Sequence, residues 1–190
     1  MDLKDSKTEA NLLAAFAGES QARTRYTFFA SVARREGFEQ ISAIFTETAD
    51  NEKEHAQLFF TQLKGGEVEI AAKYPGGVIG TTAQNLRASA DGEKLEWGTI
   101  YPGFEEMARK EGFIEVASLF RRVASVEEKH EARYLKLLKN VESGQVFKRP
   151  KPVKWKCRNC GHVLETAEAP LKCPVCTHDR AYFELFVENY

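Results

Sequence analysis

The sequence predicts a mainly helical protein, in which a four-helix bundle is followed by a small domain that depends on a metal. Two observations lead to this prediction. Long segments with apolar residues at every third or fourth position fill the chain up to about residue 144, and all four cysteines follow residue 156. A length of 190 residues suffices for one domain of ordinary size and a small appendage.

The composition is that of a globular protein and argues against several functional classes. Apolar residues make up 43% and charged residues 29%, and the formal net charge is −1. This charge gives no general reason to expect a nucleic acid or an anionic membrane as partner. The first ten residues are polar and charged, unlike a secretory signal, and no apolar run approaches the ~18 residues that span a bilayer. We therefore expect a cytoplasmic protein.

The first hairpin of the predicted bundle contains two helices. The first helix begins near Ser6, where Glu9 completes a capping-box pattern. It ends at Gly37, whose position favours a left-handed C-cap. The second helix is expected from about Glu39 to Lys64, before a pair of glycines.

The second hairpin follows a long crossover. Residues 66–80 are rich in glycine and contain a proline, which is typical of an irregular connection. The third helix is expected from about Thr82 to Glu111 and the fourth from about Ile114 to Glu142. Tight turns within each helix pair and a long connection between the pairs are the topology of ferritin-like bundles.

The two hairpins repeat one another at a spacing of 75 residues, which predicts approximate two-fold symmetry. One pair departs from the rule, because Glu19 and Glu93 are 74 residues apart. A local helix bulge near Pro102 would absorb this slip. The pairs at the regular spacing include Tyr26 with Tyr101, Glu52 with Glu127, and His55 with His130.

Each predicted helix directs at least one acidic side chain into its apolar face. Buried carboxylates cost several kcal/mol each and repel one another, so one or two divalent cations are expected to compensate them. Oxygen-rich ligation with one imidazole per metal suits iron or manganese. Two Glu-x-x-His motifs with a Glu from each other helix form the donor set of di-iron bundles. The candidate ligands are Glu19, Glu52, His55, Glu93, Glu96, Glu127 and His130.

Surface or salt-bridged residues are the alternative interpretation of these side chains, and the internal repeat argues against it. Tyr26 and Tyr101 lie on the same faces. Two interpretations stay open for them: core packing, or a hydrogen bond to a ligating carboxylate. Zinc binds such sites more tightly than ferrous iron, so zinc or manganese can replace the native metal.

The cysteines form two C-x-x-C pairs, which predict a tetrathiolate metal site. The spacing alone does not distinguish iron from zinc, and structural zinc is the commoner use of such motifs. A redox site that consumes electrons needs a one-electron relay, however, and this favours iron. The ligands are Cys157, Cys160, Cys173 and Cys176.

These features divide the chain into a bundle at 1–145, a linker at 146–153 and a metal-dependent domain at 154–190. The linker contains two prolines among basic residues and is expected to be extended and semi-rigid. Its basic cluster is interpreted as solvated, with a nucleic-acid contact or the attraction of an acidic electron donor as alternatives. The cluster comprises Lys148, Arg149, Lys151, Lys154, Lys156 and Arg158.

Three segments resemble signatures of the rubrerythrin family: Phe16–Arg23, Glu47–His55 and Cys157–Gly161. The resemblance covers essentially the whole chain and implies that the cysteine domain is rubredoxin-like. It also implies metal-binding roles in the bundle. Glu52 and Glu127 would bridge two irons, Glu19 and Glu96 would be terminal ligands of one iron, and Glu93 and His130 would serve the other. His55 is similar to the family's toggle residue, which binds the first iron in the reduced state and gives way to Glu96 on oxidation.

The activity that the resemblance implies is two-electron reduction of hydrogen peroxide to water, with re-reduction through the tetrathiolate iron. A rubredoxin-type or flavin reductase would supply electrons. The subunits would form a homodimer or higher homo-oligomer, with one chain's rubredoxin-like domain near another chain's di-iron site. One departure is Thr177, which stands where rubredoxins usually have glycine, and we expect a less regular second cysteine loop there.

Two other functions remain as alternatives. A ferroxidase or iron-handling protein would use the same bundle with oxygen as oxidant, although an iron-storing oxidase has no need of a separate electron relay. A non-catalytic scaffold would hold zinc in both sites.

Overall fold

Four helical rods form a bundle in the computed structural model, which describes residues 2–189. Three rods are single helices, and the third is continuous but contains a π-helical segment between two α-helices. The mainly helical fold class is thus confirmed. The helices are α1 (Lys7–Arg35), α2 (Glu39–Phe60), α3 (Thr82–Leu95), the π-helical segment (Glu96–Ile100), α4 (Tyr101–Lys110) and α5 (Ile114–Glu142).

The ends of the rods agree with the sequence in most places. Gly37 has a φ of +83°, and Phe38 N donates to Ala33 O at 2.8 Å, as in a left-handed C-cap. Helix α2 ends at Phe60 rather than at the predicted Lys64. Gln62 N and Leu63 N donate to carbonyls three positions back, and this tighter turn ends the helix early.

The predicted capping box at Ser6 is only half formed. The Ser6 hydroxyl accepts from Glu9 N at 3.1 Å, but the Glu9 carboxylate accepts from Asp5 N at 2.7 Å. Ser6 N is already bonded to Leu3 O, so the carboxylate binds the preceding amide instead. A complete box forms at the start of α3, between Thr81 and Gln84.

Each hairpin caps the first helix of the other. Glu36, at the end of α1, accepts from Thr82 N at the start of α3 at 3.0 Å. Glu111, at the end of α4, accepts from Lys7 N, Thr8 N and the Thr8 hydroxyl at the start of α1. A carboxylate is favourable there because helix N-termini carry unpaired N–H groups and a partial positive charge. The capping pattern follows the internal repeat and fixes the two hairpins against each other.

The π-helical segment explains the irregular spacing in the repeat. Glu19 and Tyr26 on α1 are seven residues apart, whereas Glu93 and Tyr101 on the third rod are eight apart. The segment Glu96–Ile100 lies between the second pair, and a π-helical turn accommodates one extra residue. Glu93 and Tyr101 therefore face the core in the same way as Glu19 and Tyr26. The predicted bulge is present and ends just before Pro102.

Two separate apolar clusters fill the bundle. One contains Tyr26, Phe29, Phe45 and Tyr134, and the other contains Leu12, Phe59, Tyr101 and Phe120. Along every rod the acidic positions fall between residues of the first cluster and residues of the second. The fold thus places a polar layer across the middle of an apolar interior.

The C-terminal domain is a three-stranded antiparallel sheet of β1 (Lys148–Cys157), β2 (Val163–Glu168) and β3 (Phe183–Leu185), in the order β2-β1-β3. Its core surrounds the buried Trp155 and Phe183. The segment predicted as a linker is extended, but from residue 148 onward it belongs to β1. Phe147 stacks on Phe38 with ring centroids 6.2 Å apart, which holds the sheet against the α1–α2 turn.

Removal of the Glu111 carboxylate is expected to weaken the bundle. In Glu111→Ala the start of α1 loses its bonds to two amides and one hydroxyl, so the free energy of unfolding falls by about 1–2 kcal/mol. Urea denaturation followed by far-ultraviolet circular dichroism measures this loss. Glu54→Ala, on the exposed side of α2, is the matched control. Equal midpoints for the two variants would contradict the capping role.

Candidate metal centres

Two carboxylates and two imidazoles converge in the middle of the bundle. The His55 Nδ1 atom lies 2.9 Å from Glu52 Oε2 and 2.8 Å from Glu127 Oε1. The His130 Nδ1 atom lies 3.2 Å from Glu52 Oε1 and 2.8 Å from Glu127 Oε2. Each carboxylate therefore turns one oxygen towards each histidine, which is the geometry of a group that can bridge two cations.

The other two buried carboxylates lie at opposite ends of this arrangement. Glu19 Oε1 is 4.0 Å from His55 Nδ1, and Glu93 Oε2 is 4.0 Å from His130 Nδ1. Two donor groups result, and within each the ligand atoms all lie within 4.8 Å of one another. They share Glu52 and Glu127. The first group adds Glu19 and His55, and the second adds Glu93 and His130.

Unpaired polar atoms show that hydrogen bonds alone do not satisfy this cluster. All six side chains are buried, with exposed fractions of at most 6%. A buried polar atom without a partner costs about 1–3 kcal/mol, and more if it is charged. Two divalent cations would neutralise the four carboxylates and occupy these atoms, so the residues fit a pair of metal ions. Although some of them lie close to one another, six atoms make no hydrogen bond of suitable geometry: Glu19 Oε2, Glu52 Oε1, Glu93 Oε2, His130 Nδ1 and both oxygens of Glu127.

The protonation equilibria of the donors reflect their crowding. Burial raises the pKa of Glu19, and repulsion from Glu127 and Glu52 raises it further. Burial acts in the same direction on Glu52, but the adjacent imidazoles of His130 and His55 lower its pKa to about 2. Burial opposes charge on both histidines, yet Glu127 and Glu52 raise the pKa of His55 to about 10 and that of His130 to about 9. Protons on the imidazoles thus neutralise part of the carboxylate charge, as metal cations would. A metal ion that binds here must displace these protons.

Two tyrosines hold the terminal carboxylates in place. Tyr26 Oη donates to Glu93 Oε1 at 2.5 Å, and Tyr101 Oη donates to Glu19 Oε1. In each carboxylate the other oxygen has no hydrogen-bond partner. Both tyrosines also belong to the apolar clusters, so they combine the two roles that the sequence left open.

Glu96 lies outside both donor groups, but burial and repulsion from the nearby Glu127 and Glu52 raise its pKa. It begins the π-helical segment, is half-buried, and belongs to neither donor group. It lines a cavity together with Arg25 and Tyr74. The structure therefore brings together six of the seven bundle candidates, with His55 rather than Glu96 in the first group. The resemblance implies this arrangement for the reduced state.

Arg25 and Tyr74 are the polar neighbours of Glu96 that the sequence did not predict as part of the site. Arg25 lies on α1 outside the apolar stripe, and Tyr74 belongs to the crossover, which has no periodic pattern. No signal in a single sequence distinguishes either from ordinary surface residues.

The four cysteine sulfurs form the second site. The Sγ atoms of Cys157 and Cys176 are 3.7 Å apart, and those of Cys160 and Cys173 are 3.6 Å apart. All four cysteines are free thiols within 4.8 Å of one another. A tetrahedral metal with bonds of about 2.3 Å would hold its sulfurs about 3.8 Å apart. The sulfurs are therefore positioned for one tetrahedral ion.

The second cysteine loop repeats the hydrogen bonds of the first, so the expected irregularity at Thr177 is absent. Gly161 N donates to Cys157 O, and Thr177 N donates to Cys173 O, both at 2.9 Å. Thr177 achieves this with a φ of +61°, compared with +78° for Gly161. A β-branched residue is strained at a positive φ. Thr177 therefore costs backbone conformational energy but leaves the hydrogen bonds of the loop unchanged.

Comparisons with known proteins decide the family. The family model described as "Rubrerythrin" matches residues 10–138, and the model described as "Rubrerythrin, rubredoxin-like domain" matches residues 155–184. The chain belongs to the rubrerythrin family. It is 58% identical to a rubrerythrin of Porphyromonas gingivalis, over 99% of this chain and 94% of the relative. It is 51% identical to a rubrerythrin of Nitratidesulfovibrio vulgaris, over 99% of this chain and 98% of the relative.

Solved structures agree with this assignment. The chain resembles the fully reduced, all-ferrous state of nigerythrin with a TM-score of 0.64 and 30% identity, over 97% of this chain and 91% of that chain. A bacterioferritin of Mycobacterium tuberculosis matches with a TM-score of 0.61 and 17% identity, over 73% of this chain and 88% of that chain, which shows the ferritin-like fold alone. Rubrerythrins are oxidoreductases. The family and the two donor sets together support iron as the cofactor, as predicted. Within residues 2–189, no helix is long and apolar enough to cross a membrane.

The two shared carboxylates are expected to matter more for metal retention than Glu96. Glu52 and Glu127 belong to both donor groups and Glu96 to neither. Glu52→Ala or Glu127→Ala should therefore lower the iron content of the bundle severalfold, and Glu96→Ala only slightly. Metal analysis of the purified variants, corrected for the tetrathiolate iron by its visible absorption, measures the difference. Equal losses in the three variants would show that the shared position of the two carboxylates is unimportant.

Thr177→Gly is expected to stabilise the cysteine domain. Glycine adopts a positive φ without steric cost, and the strain at such a residue is on the order of 1 kcal/mol. The temperature at which the thiolate-to-iron absorption disappears should rise by a few degrees. Gly161→Thr is the reciprocal control. An added Cβ there meets no atom within 4 Å, so the lower transition temperature expected for this variant reflects backbone strain alone. The explanation fails if Thr177→Gly lowers that temperature.

Proposed function

We propose that this chain is a peroxidase that reduces hydrogen peroxide to water at a di-iron centre in the bundle. The observation that supports it most is the sharing of Glu52 and Glu127 by two adjacent donor groups. Two redox metals held side by side supply two electrons to one small substrate. The presence of a second metal site of four thiolates in the same chain fits a centre that must be re-reduced after each turnover.

The proposed ligands divide between the two irons. Glu52 and Glu127 would hold both ions. Glu19 would hold the first ion together with His55 or Glu96, according to redox state, and Glu93 and His130 would hold the second. The difference in burial supports the special role of Glu96, since it is half-buried while the other six are buried. A carboxylate at the edge of the site can move with less repacking than one in its centre.

When bound, two ferrous ions would supply two electrons in all, with which one hydrogen peroxide and two protons would become two water molecules. The residues of the chain prepare the site for it. Tyr26 and Tyr101 orient Glu93 and Glu19 through their hydroxyls. The two apolar clusters exclude bulk water from the donor layer and strengthen the interactions of charges within it.

Electrons are proposed to enter through the cysteine site. The donor layer is buried, whereas Cys160 is exposed and Cys176 half-buried. A rubredoxin-type or flavin reductase can therefore approach the thiolates but not the bundle ligands. Free thiols at all four cysteines suit a reducing compartment, and we propose the cytoplasm.

We propose that electrons pass from the cysteine site of one chain to the bundle of a second copy. Within one chain the small domain lies against the α1–α2 turn, where Phe147 stacks on Phe38. Glu52 is fourteen residues beyond Phe38, or about 20 Å along helix α2. The small domain therefore contacts its own bundle at one end, far from the donor layer. We therefore propose a homodimer or higher homo-oligomer in which one chain's cysteine domain serves another chain's bundle.

Cys160→Ser tests the division of labour between the two sites. The substitution removes one thiolate from the relay and leaves the bundle untouched. A single turnover of the diferrous bundle with one equivalent of peroxide should proceed at a rate within about twofold of the original. Steady-state peroxide reduction with a reductase as electron source should fall at least tenfold. Stopped-flow absorption and a coupled assay measure the two rates.

Val175→Ser, a substitution in the second cysteine loop at an exposed residue that is not a ligand, is the matched control. If Cys160→Ser keeps full steady-state activity, the cysteine site has a structural role and not a role in electron transfer. Zinc would then be favoured over iron as its metal. If oxygen oxidises the diferrous bundle faster than peroxide does, the oxidase alternative replaces the peroxidase.

A further inference from the structure

A cavity of about 670 Å³ lies beside the metal donors, and the proposed reaction with hydrogen peroxide does not explain its size. It is bounded by α1, by the third rod and by the crossover segment 70–75. Hydrogen peroxide has two heavy atoms and needs on the order of 60 Å³, about twice the volume of a water molecule. Cavities between roughly 300 and 1,000 Å³ are typical of sites for larger organic ligands.

One end of the cavity reaches the metal site. Of the seven proposed bundle ligands, only Glu96 lines it. Tyr101 lines it too, and its hydroxyl donates to Glu19 in the first donor group. Arg25 completes this end and is held in place by a bond from its Nε to Gln21 Oε1 at 2.7 Å. A group bound here would lie next to the most exposed ligand of the first ion.

The other end of the cavity is apolar. Ala10 on α1 faces Phe104 and Met107 on α4. Met107 is eleven residues beyond Glu96, or about 16 Å along the rod. The cavity is thus long, polar where it meets the metal ligands and apolar where it is farthest from them.

The crossover forms a fixed wall of this cavity. Tyr74 Oη donates to Ala14 O on α1 at 2.7 Å. An added Cβ at Gly18 would lie 3.7 Å from the Tyr74 ring, so the ring rests directly on the helix. This contact holds the segment over the groove between α1 and the third rod, so that the crossover forms one wall of the cavity.

From this geometry we propose that the site also reduces organic hydroperoxides whose hydrocarbon part occupies the cavity, with the peroxide group at Glu96. The proposal rests on the peroxidase function proposed above and extends its substrate class. An aromatic or branched alkyl group would lie between Phe104, Met107 and Ala10. Burial of that group contributes roughly 25 cal/mol per Å² of apolar surface, which hydrogen peroxide cannot gain.

The reaction balances in the same way as with hydrogen peroxide. The O–O bond of ROOH breaks and takes up two electrons, one from each ferrous ion. Two protons from solvent complete the products, an alcohol ROH and one water molecule. The oxidised pair is then re-reduced by the same external one-electron donor through the cysteine site.

Gly103 offers a way to fill the cavity without touching a metal ligand. It lies on α4 and lines the cavity, and an added Cβ meets no atom within 4 Å. Glycine in a helix is less stable than alanine by roughly 0.5–1 kcal/mol, so a side chain is tolerated there. Gly103→Leu should lower the ratio of kcat/KM for cumene hydroperoxide to kcat/KM for hydrogen peroxide at least tenfold. Gly103→Ala, which changes helix propensity but adds only a methyl group, should leave the ratio within about threefold.

Binding of the product alcohol gives a readout that does not depend on turnover. Isothermal titration of the oxidised holoenzyme with 2-phenylpropan-2-ol should show one site per chain, and Gly103→Leu should weaken its affinity at least tenfold. Absence of binding to the unsubstituted chain, or equal affinity for Gly103→Leu, overturns the cavity proposal. So does a hydroperoxide ratio that Gly103→Leu leaves unchanged. Failure of the unsubstituted chain to reduce hydrogen peroxide contradicts the proposed function instead, and the titration reports on the cavity independently of that result.

Discussion

The burial of four carboxylates and two imidazoles across the middle of an apolar bundle is the constraint on which the rest of the structure depends. Without cations the carboxylates repel one another, and several of their oxygens have no partner. The two apolar clusters on either side stabilise the rods and hold these groups together despite the repulsion. Metal binding and folding are therefore coupled, because cations relieve a penalty that the packing of the rods imposes.

The approximate symmetry of the bundle follows from the same constraint. Two equivalent hairpins each supply one Glu-x-x-His motif, one further carboxylate, and one tyrosine that orients the further carboxylate of the other hairpin. The mutual caps of Glu36 and Glu111 keep the hairpins in register. A shift of either hairpin by one turn would move its donors by about 5.4 Å and separate the shared carboxylates from the opposite histidine.

The sequence predicted the four rods, the clustering of six buried donor side chains and the clustering of the four cysteines, because each leaves a local pattern. Glu52 and His55 stand three residues apart on an apolar stripe, and the repeat at Glu127 and His130 removes the ambiguity of a single motif. The capping role of Glu111 and the position of Tyr74 left no such pattern. Both act on backbone atoms distant in sequence, which only the assembled bundle brings near. The predicted end of α2 was wrong for a related reason, because that helix end depends on tight backbone turns and not on side-chain periodicity.

The single extra residue in the π-helical segment has an evolutionary consequence. A repeat of 75 residues is what duplication of an ancestral hairpin leaves behind, and two identical copies would create two equivalent metal positions. The extra residue breaks the equivalence of the two hairpins only in the π-helical segment of the third rod. It leaves Glu93 and Tyr101 aligned with their counterparts and sets Glu96 at the start of the inserted turn, where the first copy has no carboxylate. One extra residue is thus enough to give the two halves of an otherwise symmetric site different surroundings.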